Sequence, residues 1–297
     1  MESNVLISYI EEKYPELKGK EVAVSEYGWA NYILIFDNKL IFRFPRDEES
    51  KKQLILEQKL LSKLNLSLYG LIPNFIYSSK DGDEFTYVGY ELIPGKSLET
   101  EEFVLLEEHE KDILAKSLGE FLTILHSFNF ESFLGAAPSI AEFKEMWRAF
   151  LQEIEEFVFP VFTTKEKEWA VELFNDFLAD ENNFFFTPCL IHGDLGSDHI
   201  IYEFEKRSFS GIIDFGDIQV GDPAYDFIGV YIAYGAEFAQ KVFSYYKGNK
   251  DKCFFRRIEK FYYKRTPFYG IIHGVRTNNH QLQKNCLEWL RNIMLED

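Results

Sequence analysis

The spacing of apolar residues changes near residue 94, and this change limits the possible folds more than any other feature. Before it, most apolar runs are short and of β type; after it, they recur at helical intervals. Strands are predicted over 21–29, 31–36, 39–45, 73–79 and 84–93, and helices from about Asn4 to Lys13 and over 50–66. Further helices are predicted over 109–128, 141–158, 165–182 and 236–247. The pattern predicts an α+β fold with a β-rich N-lobe and a mostly helical C-lobe.

The boundary between the two parts is predicted between residues 92 and 93. The segment 93–99, IPGKSLE, carries Pro and Gly and is interpreted as a linker. The predicted units are therefore an N-terminal lobe over 1–92 and a C-terminal lobe over 93–297. In the second lobe, clear β signals occur only at 188–192, 199–204 and 208–215. In the first, Asp37-Asn38-Lys39 predicts a hairpin turn.

Charge and composition exclude several classes of protein. With a formal net charge of −17 over 297 residues, the chain lacks the basic surface that nucleic acids and anionic membranes require. The charge suits a cationic partner, although an acidic surface that only maintains solubility is the simpler interpretation. No run of 18 apolar residues and no basic leader occurs, so we expect a cytoplasmic protein. Cys189, Cys253 and Cys286 lie far apart, which predicts reduced thiols and no zinc site.

Two acidic motifs, HGDLGSDH (192–199) and DFGD (214–217), stand at the ends of short apolar strands. Strand ends hold side chains rigidly at the edge of a cleft, so Asp194, His199 and Asp214 are predicted to meet around one point. Such a set suits a divalent cation, with Asp214 as an oxygen ligand and His199 as a nitrogen ligand. Asp194 is then free to act on a hydroxyl proton. Phosphoryl transfer from a nucleotide uses these parts.

At these residues the sequence resembles a known family. HGDLGSDH, followed by GIIDFGD and GDPAYDF, is similar to the catalytic core of the aminoglycoside phosphotransferases, relatives of the protein kinases. The resemblance is strongest to those that modify a 2''-hydroxyl. It implies a bilobal protein-kinase-like fold with a hinge near 91–93. It also implies an alcohol-group phosphotransferase that uses Mg²⁺ and takes GTP or ATP as phosphate donor.

The resemblance assigns roles to individual residues of the catalytic motifs. Asp194 matches the catalytic aspartate that orients the substrate hydroxyl and accepts its proton. Asp214 matches the aspartate that binds magnesium, and His199 stands where most of the family has an asparagine ligand. An imidazole prefers softer ions than magnesium, so this position departs from the usual pattern.

The N-terminal lobe is expected to bind the nucleotide. Glu57 matches the helix glutamate that pairs with the family's phosphate-binding lysine, and Arg43 occupies the position of that lysine. Arginine keeps the positive charge and can pair with Glu57. Its planar guanidinium has a different shape from the ammonium of lysine, so the two residues are not interchangeable. The resemblance assigns the remaining nucleotide contacts to two segments. Ser25 and Gly28 lie in the loop that covers the nucleotide, and Tyr90, Glu91 and Ile93 lie at the hinge. Members of the family that favour GTP also carry a bulky residue at the position of Tyr90, where it would narrow the pocket that adenine prefers.

For the acceptor, the family lines its cleft with carboxylates that hold protonated amines. Asp194, Asp217 and Asp222 are predicted to serve this role, with a cationic small-molecule antibiotic as the partner. The segment after Asp226 reads FIGVYIAYGAEF and is less acidic than in the related enzymes. This leaves room for a less cationic acceptor, such as a macrolide. A monomer is expected, with no nucleic-acid or membrane partner.

Alternatives remain open at this point. Arg43 and His199 suit a nucleotide-binding pseudokinase or sensor, and a metal-dependent hydrolase using His192, Asp194, His199 and Asp214 would need no nucleotide. No GxxxxGK[ST] or GxSxG motif occurs, so P-loop NTPases are excluded and serine hydrolases are disfavoured. Other residues have structural interpretations: His126 ends a helix, His192 braces the motif, Asp226 accepts bonds from loop backbone, and Asp198 faces solvent.

Overall fold

The computed structural model describes residues 3–25 and 30–296. The strands, in chain order, are β1 (Val22–Ser25), β2 (Asn31–Phe36), β3 (Leu40–Pro45), β4 (Phe75–Ser78), β5 (Val88–Glu91), β6 (Lys96–Ser97), β7 (Cys189–Ile191), β8 (Ile200–Glu203), β9 (Ser208–Ile212) and β10 (Gln219–Gly221). The α-helices are α1 (Ser3–Lys13), α2 (Glu48–Leu68), α3 (Thr100–Val104), α4 (Glu108–His126), α5 (Glu131–Leu134), α6 (Ile140–Phe157), α7 (Thr164–Ala179), α8 (Ile228–Tyr245), α9 (Phe254–Arg257), α10 (Tyr263–Arg276) and α11 (His280–Glu296).

The N-terminal lobe is built on an antiparallel five-stranded sheet of order β1-β2-β3-β5-β4. Asp37 and Asn38 both have positive φ, of 50° and 51°, and join β2 to β3 through the predicted hairpin turn. Short polar side chains such as Asp and Asn tolerate this left-handed backbone, which explains why they stand there. One face of the sheet packs on α1 through an apolar cluster that includes Leu6, Ile10 and Phe42.

Helix α2 crosses from this sheet toward the C-terminal lobe. Its N-terminus is capped by Asp47, whose side chain accepts a hydrogen bond from the Ser50 amide at 2.7 Å. Its buried face carries Leu60, Leu61 and Leu64, which join the core of the helical lobe. The helix therefore fixes the two lobes against each other on one side of the cleft.

The C-terminal lobe has a core rich in aromatic side chains. The rings of Phe177 and Phe261 stack with their centroids 3.7 Å apart, and Trp147 meets Phe261 edge-on. Helices α4 and α8 approach closely because Gly119 carries no Cβ; an added Cβ would lie 2.7 Å from the Val242 carbonyl oxygen. The result is a rigid helical base for the short strands that carry the acidic motifs.

Two small sheets hold those motifs. Strand β7 pairs with β10, and β8 lies between β6 and β9. The segment 93–99 is therefore not a free linker, because Lys96 and Ser97 pair with Tyr202 and Ile201. Strand β10 was also missing from the sequence prediction. Both strands have two or three residues and are specified by partners distant in sequence, which local periodicity does not record.

The strand predicted over 31–36 is found with those ends, and the other predicted elements are present with shifted ends. Residues 26–29 of the first predicted strand lie outside the described residues. The helix predicted at 236–247 begins eight residues earlier, at Ile228, and is interrupted at Gly235, where φ is 87°. The strand predicted over 84–93 is confined to Val88–Glu91. The α+β fold with a sheet lobe and a helical lobe is confirmed, whereas the division at residue 92 stays a prediction. No helix in the part of the chain that the structure describes is both long and apolar enough to cross a bilayer.

Candidate active site

The loop 192–199 leads from β7 to β8, and hydrogen bonds to the carboxylate of Asp226 fix its first residues. This buried group accepts hydrogen bonds from the backbone amides of His192 (2.8 Å) and Gly193 (3.0 Å). It also accepts one from the His126 imidazole Nε2 at 3.0 Å, and the other His126 nitrogen meets the Tyr246 hydroxyl at 2.8 Å. Burial opposes the charge, yet His126 and the loop amides hold the pKa of Asp226 below its usual value. The structural roles predicted for His126 and Asp226 are confirmed.

His192 connects this loop to the second acidic motif. Its Nε2 donates to the Ile213 carbonyl oxygen at 3.0 Å, and its Nδ1 accepts from the Asp194 amide at 3.3 Å. Burial lowers the pKa of His192, which suits the neutral form that this pattern of donor and acceptor requires. Gly193 has φ of 85°, and an added Cβ would lie 2.3 Å from the Asp217 carbonyl oxygen. The bracing role predicted for His192 is confirmed, and only glycine fits beside it.

The carboxylates of Asp194, Asp198 and Asp214 lie 3.9, 3.5 and 3.8 Å from the imidazole of His199. Its Nδ1 donates to the Asp194 carbonyl oxygen at 2.6 Å. Its Nε2 lies 3.5 Å from Asp198 Oδ2 and 3.8 Å from Asp214 Oδ2, and Asp217 completes the acidic wall. Asp198 was expected to face solvent, and its side chain is exposed as expected; it also lies beside His199 and lines the cleft. Asp194, His199 and Asp214 are therefore brought together as the sequence predicted.

Burial and the closeness of these acids shift the pKa values of the groups in the cluster. Burial, together with Asp217, Asp198 and Asp214, raises the pKa of Asp194 to about 6, although His199 acts in the opposite direction. Burial and Asp214 also raise the pKa of Asp217. Burial opposes the charge of His199, but Asp198 and the Asp194 carbonyl raise the pKa of this imidazole above its usual value. The cluster carries more negative charge than its own cations balance, which favours an added cation.

The donor set fits Mg²⁺ in the way that nucleotide enzymes bind it. Among the described residues no group of three or more His, Cys, Asp or Glu could hold a metal alone. Mg²⁺ usually keeps several waters and takes one or two carboxylates plus substrate phosphates, so a complete protein cage is not needed. Asp214 offers a half-exposed carboxylate, and His199 Nε2 faces it at a distance too long for a hydrogen bond. These two groups would hold an ion that is shared with a nucleotide.

The opposite wall of the cleft is a buried ion pair from the N-terminal lobe. Arg43 on β3 donates through Nη1 to Glu57 Oε1 on α2 at 2.8 Å, and its Nη2 lies 3.8 Å from Asp214 Oδ1. The second Glu57 oxygen has no hydrogen-bond partner among the described residues. Burial raises the pKa of Glu57, while Arg43 opposes the shift. Tyr90 lies buried beside the pair, and burial raises its pKa to about 12.

A cavity of about 940 Å³ separates these walls. The predicted site residues that line it are Arg43, Glu57, Asp194, His199, Asp214 and Asp217. Tyr90 lies behind the pair. Of the other predicted nucleotide contacts, Ser25 ends β1 opposite Ile33, Glu91 is exposed, Ile93 packs near Gly211, and Gly28 lies outside the described residues.

Two polar residues of this cavity were missed by the sequence analysis. Gln53 on α2 donates to the Gly216 carbonyl oxygen at 2.5 Å and thereby ties the helix to the DFGD turn. Asn31 on β2 is buried at the cavity wall, and its side-chain oxygen has no partner among the described residues. Neither residue belongs to a charged motif, so nothing in the sequence distinguished it from a structural residue.

A second cavity, of about 540 Å³, adjoins the first at Asp194 and Asp217. Its helical wall is apolar, and the residues of α8 that form it are Ile228, Gly229, Ile232 and Ala233. Gly229 lies against the loop 192–199; an added Cβ would lie 1.8 Å from the Leu195 carbonyl oxygen. The far end contains Tyr225, Arg265, Tyr269 and Trp289. The thin acidic wall that the sequence indicated is present here.

Asp222, predicted to bind substrate, does not line either cavity. Its carboxylate accepts from Arg257 Nε at 2.5 Å, Arg257 Nη2 at 2.9 Å, the Tyr262 hydroxyl at 2.8 Å and the Ala224 amide at 3.0 Å. The residue is 4% exposed, so its oxygens are occupied inside the protein. Arg257 also pairs with Asp251 at 2.7 Å. We conclude that Asp222 anchors the turn after β10.

Replacing Arg257 by Met should lower the free energy of unfolding by about 3–5 kcal/mol, because the buried carboxylate of Asp222 would remain without its cation. The neighbouring variant Arg256→Met is the matched control. Arg256 pairs with Asp180 at a half-exposed position, so its loss should change stability by about 1 kcal/mol or less. Urea unfolding followed by tryptophan fluorescence measures both. Equal effects of the two variants would contradict the anchoring role of Asp222 and Arg257.

Comparisons with known proteins agree with this geometry. The model of the phosphotransferase enzyme family matches residues 24–253. Viomycin phosphotransferase from Streptomyces vinaceus is 27% identical over 162 residues, which are 54% of this chain and 54% of that protein. The match therefore spans about half the length of that relative.

Solved structures resemble the chain over nearly its whole length. The GDP and kanamycin complex of APH(2")-IIia has a TM-score of 0.88 at 25% identity, with 99% of each chain covered. Macrolide 2'-phosphotransferase MphH from Brachybacterium faecium shares the fold, with a TM-score of 0.73 at 19% identity, over 95% of this chain and 96% of that one. The implied protein-kinase-like fold is thereby confirmed. Since the family model covers most of the chain, the protein belongs to the phosphotransferase enzyme family.

Proposed function

We propose that the protein is a small-molecule kinase that transfers the γ-phosphate of GTP or ATP to a hydroxyl of an aminoglycoside antibiotic. One observation carries this proposal. The cavity between Arg43–Glu57 and Asp214–His199 adjoins the second cavity at Asp194 and Asp217. A nucleotide in the first cavity and an acceptor in the second would meet at Asp194. The two are therefore called the nucleotide cavity and the acceptor cavity. The similarity to a protein solved with GDP and kanamycin supports both ligand classes.

The chemistry follows from the charges around Asp194. Its carboxylate would accept the proton of the acceptor hydroxyl while that oxygen bonds to the γ-phosphorus. The bond from the γ-phosphorus to the bridging oxygen breaks, and the nucleoside diphosphate leaves. A pKa raised to about 6 makes Asp194 a stronger base than an ordinary carboxylate while leaving it largely ionised at neutral pH. Magnesium bound with the nucleotide, held by Asp214 and His199, would neutralise the phosphate charge.

Arg43 is the proposed phosphate contact of the N-terminal lobe. It is the only Arg or Lys among the described residues that line the nucleotide cavity. Glu57 fixes its guanidinium by a charge-assisted hydrogen bond, so the cation would be positioned before the nucleotide arrives. Tyr90, Glu91 and Ile93 stay the proposed hinge contacts, with Ser25 and Gly28 in the covering loop. The similarity to a GDP-bound enzyme supports GTP as donor alongside ATP.

A macrolide is the second candidate acceptor. Among the described residues that line the acceptor cavity, the acids all lie at the end that carries Asp194, Asp198 and Asp217, while the α8 wall is apolar. A large neutral ring would cover such a wall better than a molecule with amines on every ring. Asp217 stays the proposed amine contact, while the internal bonds of Asp222 do not support that role for it.

Replacing Asp194 by Asn should lower phosphate transfer at least about 100-fold, because the amide cannot accept the hydroxyl proton. Binding of the nucleotide should change little, since the cations that face the phosphates remain. The measurement is release of nucleoside diphosphate with magnesium, GTP or ATP, and a panel of aminoglycosides and macrolides.

Asp217→Asn serves as the comparison, because it removes an acidic charge and the proposed amine contact from the cleft but leaves the proposed base in place. Turnover by Asp194→Asn equal to that of the wild type would refute the assignment. Nucleotide binding without acceptor-stimulated release in the wild type would favour the sensor interpretation. Metal-dependent hydrolysis of an ester without any nucleotide would favour the hydrolase interpretation.

Replacing Arg43 by Met, together with Glu57→Gln, should weaken binding of Mg·GTP or Mg·ATP at least about tenfold, because the cavity loses its permanent cation. Changing both residues avoids a buried unpaired carboxylate and so preserves the fold. Arg43→Lys keeps the charge and should stay within about threefold of the wild type. Equilibrium titration of each variant measures the dissociation constant. Unchanged affinity in the double variant would limit Arg43 to a structural role.

A further inference from the structure

We infer that Arg265 makes the acceptor cavity selective against polycations, so that the acceptor carries its amine at one end and a neutral, oxygen-bearing body at the other. The amine faces Asp194, Asp198 and Asp217, and the neutral body lies toward Arg265 and the aromatic rings beside it. This inference rests on the proposed kinase activity and, of its two candidate acceptors, favours the macrolide over the aminoglycoside. It favours a molecule with one amino sugar on a large uncharged ring over one with amines on every ring.

Arg265 lies inside a cage of aromatic side chains at the far end of the cavity. Its guanidinium carbon is 4.6 Å from the ring centroid of Tyr225 and 4.7 Å from that of Tyr269. The rings of Trp147 and Tyr262 follow at 5.1 and 5.6 Å. The residue is 2% exposed, yet it contributes to the lining of the cavity. A cation held this deeply acts on a bound ligand with little screening by water.

No carboxylate neutralises this charge among the residues that the structure describes. Arg265 makes no ion pair there, and its Nε is buried without a hydrogen-bond partner. Arg257, eight residues earlier, shows the usual arrangement, with Asp222 and Asp251 both bonded to its guanidinium. Glu153 acts electrostatically on Tyr269 of the cage, but it is itself paired with Arg276 at 3.5 Å. The charge of Arg265 is therefore not cancelled by a neighbouring acid.

Aromatic rings stabilise a cation without removing its charge. Burial alone would lower the pKa of Arg265, yet Tyr225 and Tyr269 leave that pKa above the ordinary value. The guanidinium thus stays charged at every accessible pH. Its field extends into the cavity, where it opposes an ammonium group and favours carbonyl, ether or hydroxyl oxygens.

The backbone that carries Arg265 is irregular in a way that is common at binding sites. A π-helical turn, Ile258–Tyr262, precedes α10, and Pro267 lies within that helix. Such turns rotate the following residues relative to a regular helix and occur often at functional sites. Tyr262 and Arg265, on either side of the junction, both belong to the aromatic cage. This placement is independent of the charge argument and points to the same end of the cavity.

The acceptor cavity is therefore polarised along its length. Asp194, Asp198 and Asp217 attract an amine near the reacting hydroxyl, and Arg265 repels one at the far end. Between them, Ile228 and Ile232 present an apolar wall. An acceptor with a single cationic end satisfies all three regions at once, whereas a polyamine places like charges against Arg265.

The test compares two probes with the same nucleotide: kanamycin, which carries several amines, and a macrolide that carries one amino sugar. The wild type should show kcat/KM for the macrolide at least about tenfold above that for kanamycin. Arg265→Met removes the charge but keeps most of the length. It should reduce this preference about tenfold or more, chiefly by raising kcat/KM for kanamycin. Arg265→Lys retains the charge and should retain the preference.

Several outcomes would overturn the inference. The first is a wild-type kcat/KM for kanamycin that equals or exceeds that for the macrolide. The second is an unchanged preference in Arg265→Met. The third is the absence of phosphate transfer to either acceptor. If Arg265→Met does not fold, the inference is tested by the wild-type preference and by the preference of the Arg265→Lys variant.

A separate thermal shift with Mg·GTP or Mg·ATP tests the proposed kinase itself. Stabilisation by nucleotide together with a kanamycin preference would refute only the acceptor class, whereas no stabilisation would refute the kinase.

Discussion

The buried carboxylate of Asp226 is the interaction on which the site depends. It holds the amides of His192 and Gly193, and it is held in turn by His126 at the end of α4. His192 then reaches the Ile213 carbonyl, one residue before Asp214. One hydrogen-bonded chain therefore runs from the helical core to both acidic motifs. A buried, fully bonded network of this kind fixes geometry more firmly than exposed contacts can.

The distribution of cations explains how one cleft can serve two ligands. Among its described lining residues, the proposed nucleotide cavity has many acids and a single permanent cation, Arg43, which is fixed by Glu57. The acceptor cavity has its acids at one end and a caged arginine, Arg265, at the other. Both cations are buried and held rigidly, so neither must reorganise when a ligand arrives. The acids between them leave an excess of negative charge at the point where phosphate, metal and acceptor would meet.

Much of this site could be predicted because its chemistry lies in contiguous motifs. Asp194, His199 and Asp214 lie within or next to motifs at strand ends, and the structure brings them together. Arg43 and Glu57 were paired through the resemblance to the family, and they form a hydrogen bond at 2.8 Å.

What could not be predicted depends on contacts between distant parts of the chain. Asp222 looked like a cleft residue because it stands near the motifs, but Arg257 and Tyr262 turn it inward. Strand β6 exists only because Tyr202 and Ile201 pair with it. Arg265 gave no signal, since its cage is assembled from residues between 147 and 269 in a chain with many aromatics. Such features follow from packing that sequence spacing does not encode.

The most direct test of this account is the rate of phosphate transfer in a single turnover by Asp226→Asn, measured beside the dissociation constant of the nucleotide. Asparagine keeps the size of the side chain but offers one acceptor oxygen where two are used, so the loop should shift. The account predicts a transfer rate at least about 100-fold lower, with nucleotide affinity within about threefold of the wild type and a folded protein by thermal melting. A folded variant that transfers phosphate at the wild-type rate would contradict the claim that Asp226 positions the catalytic loop.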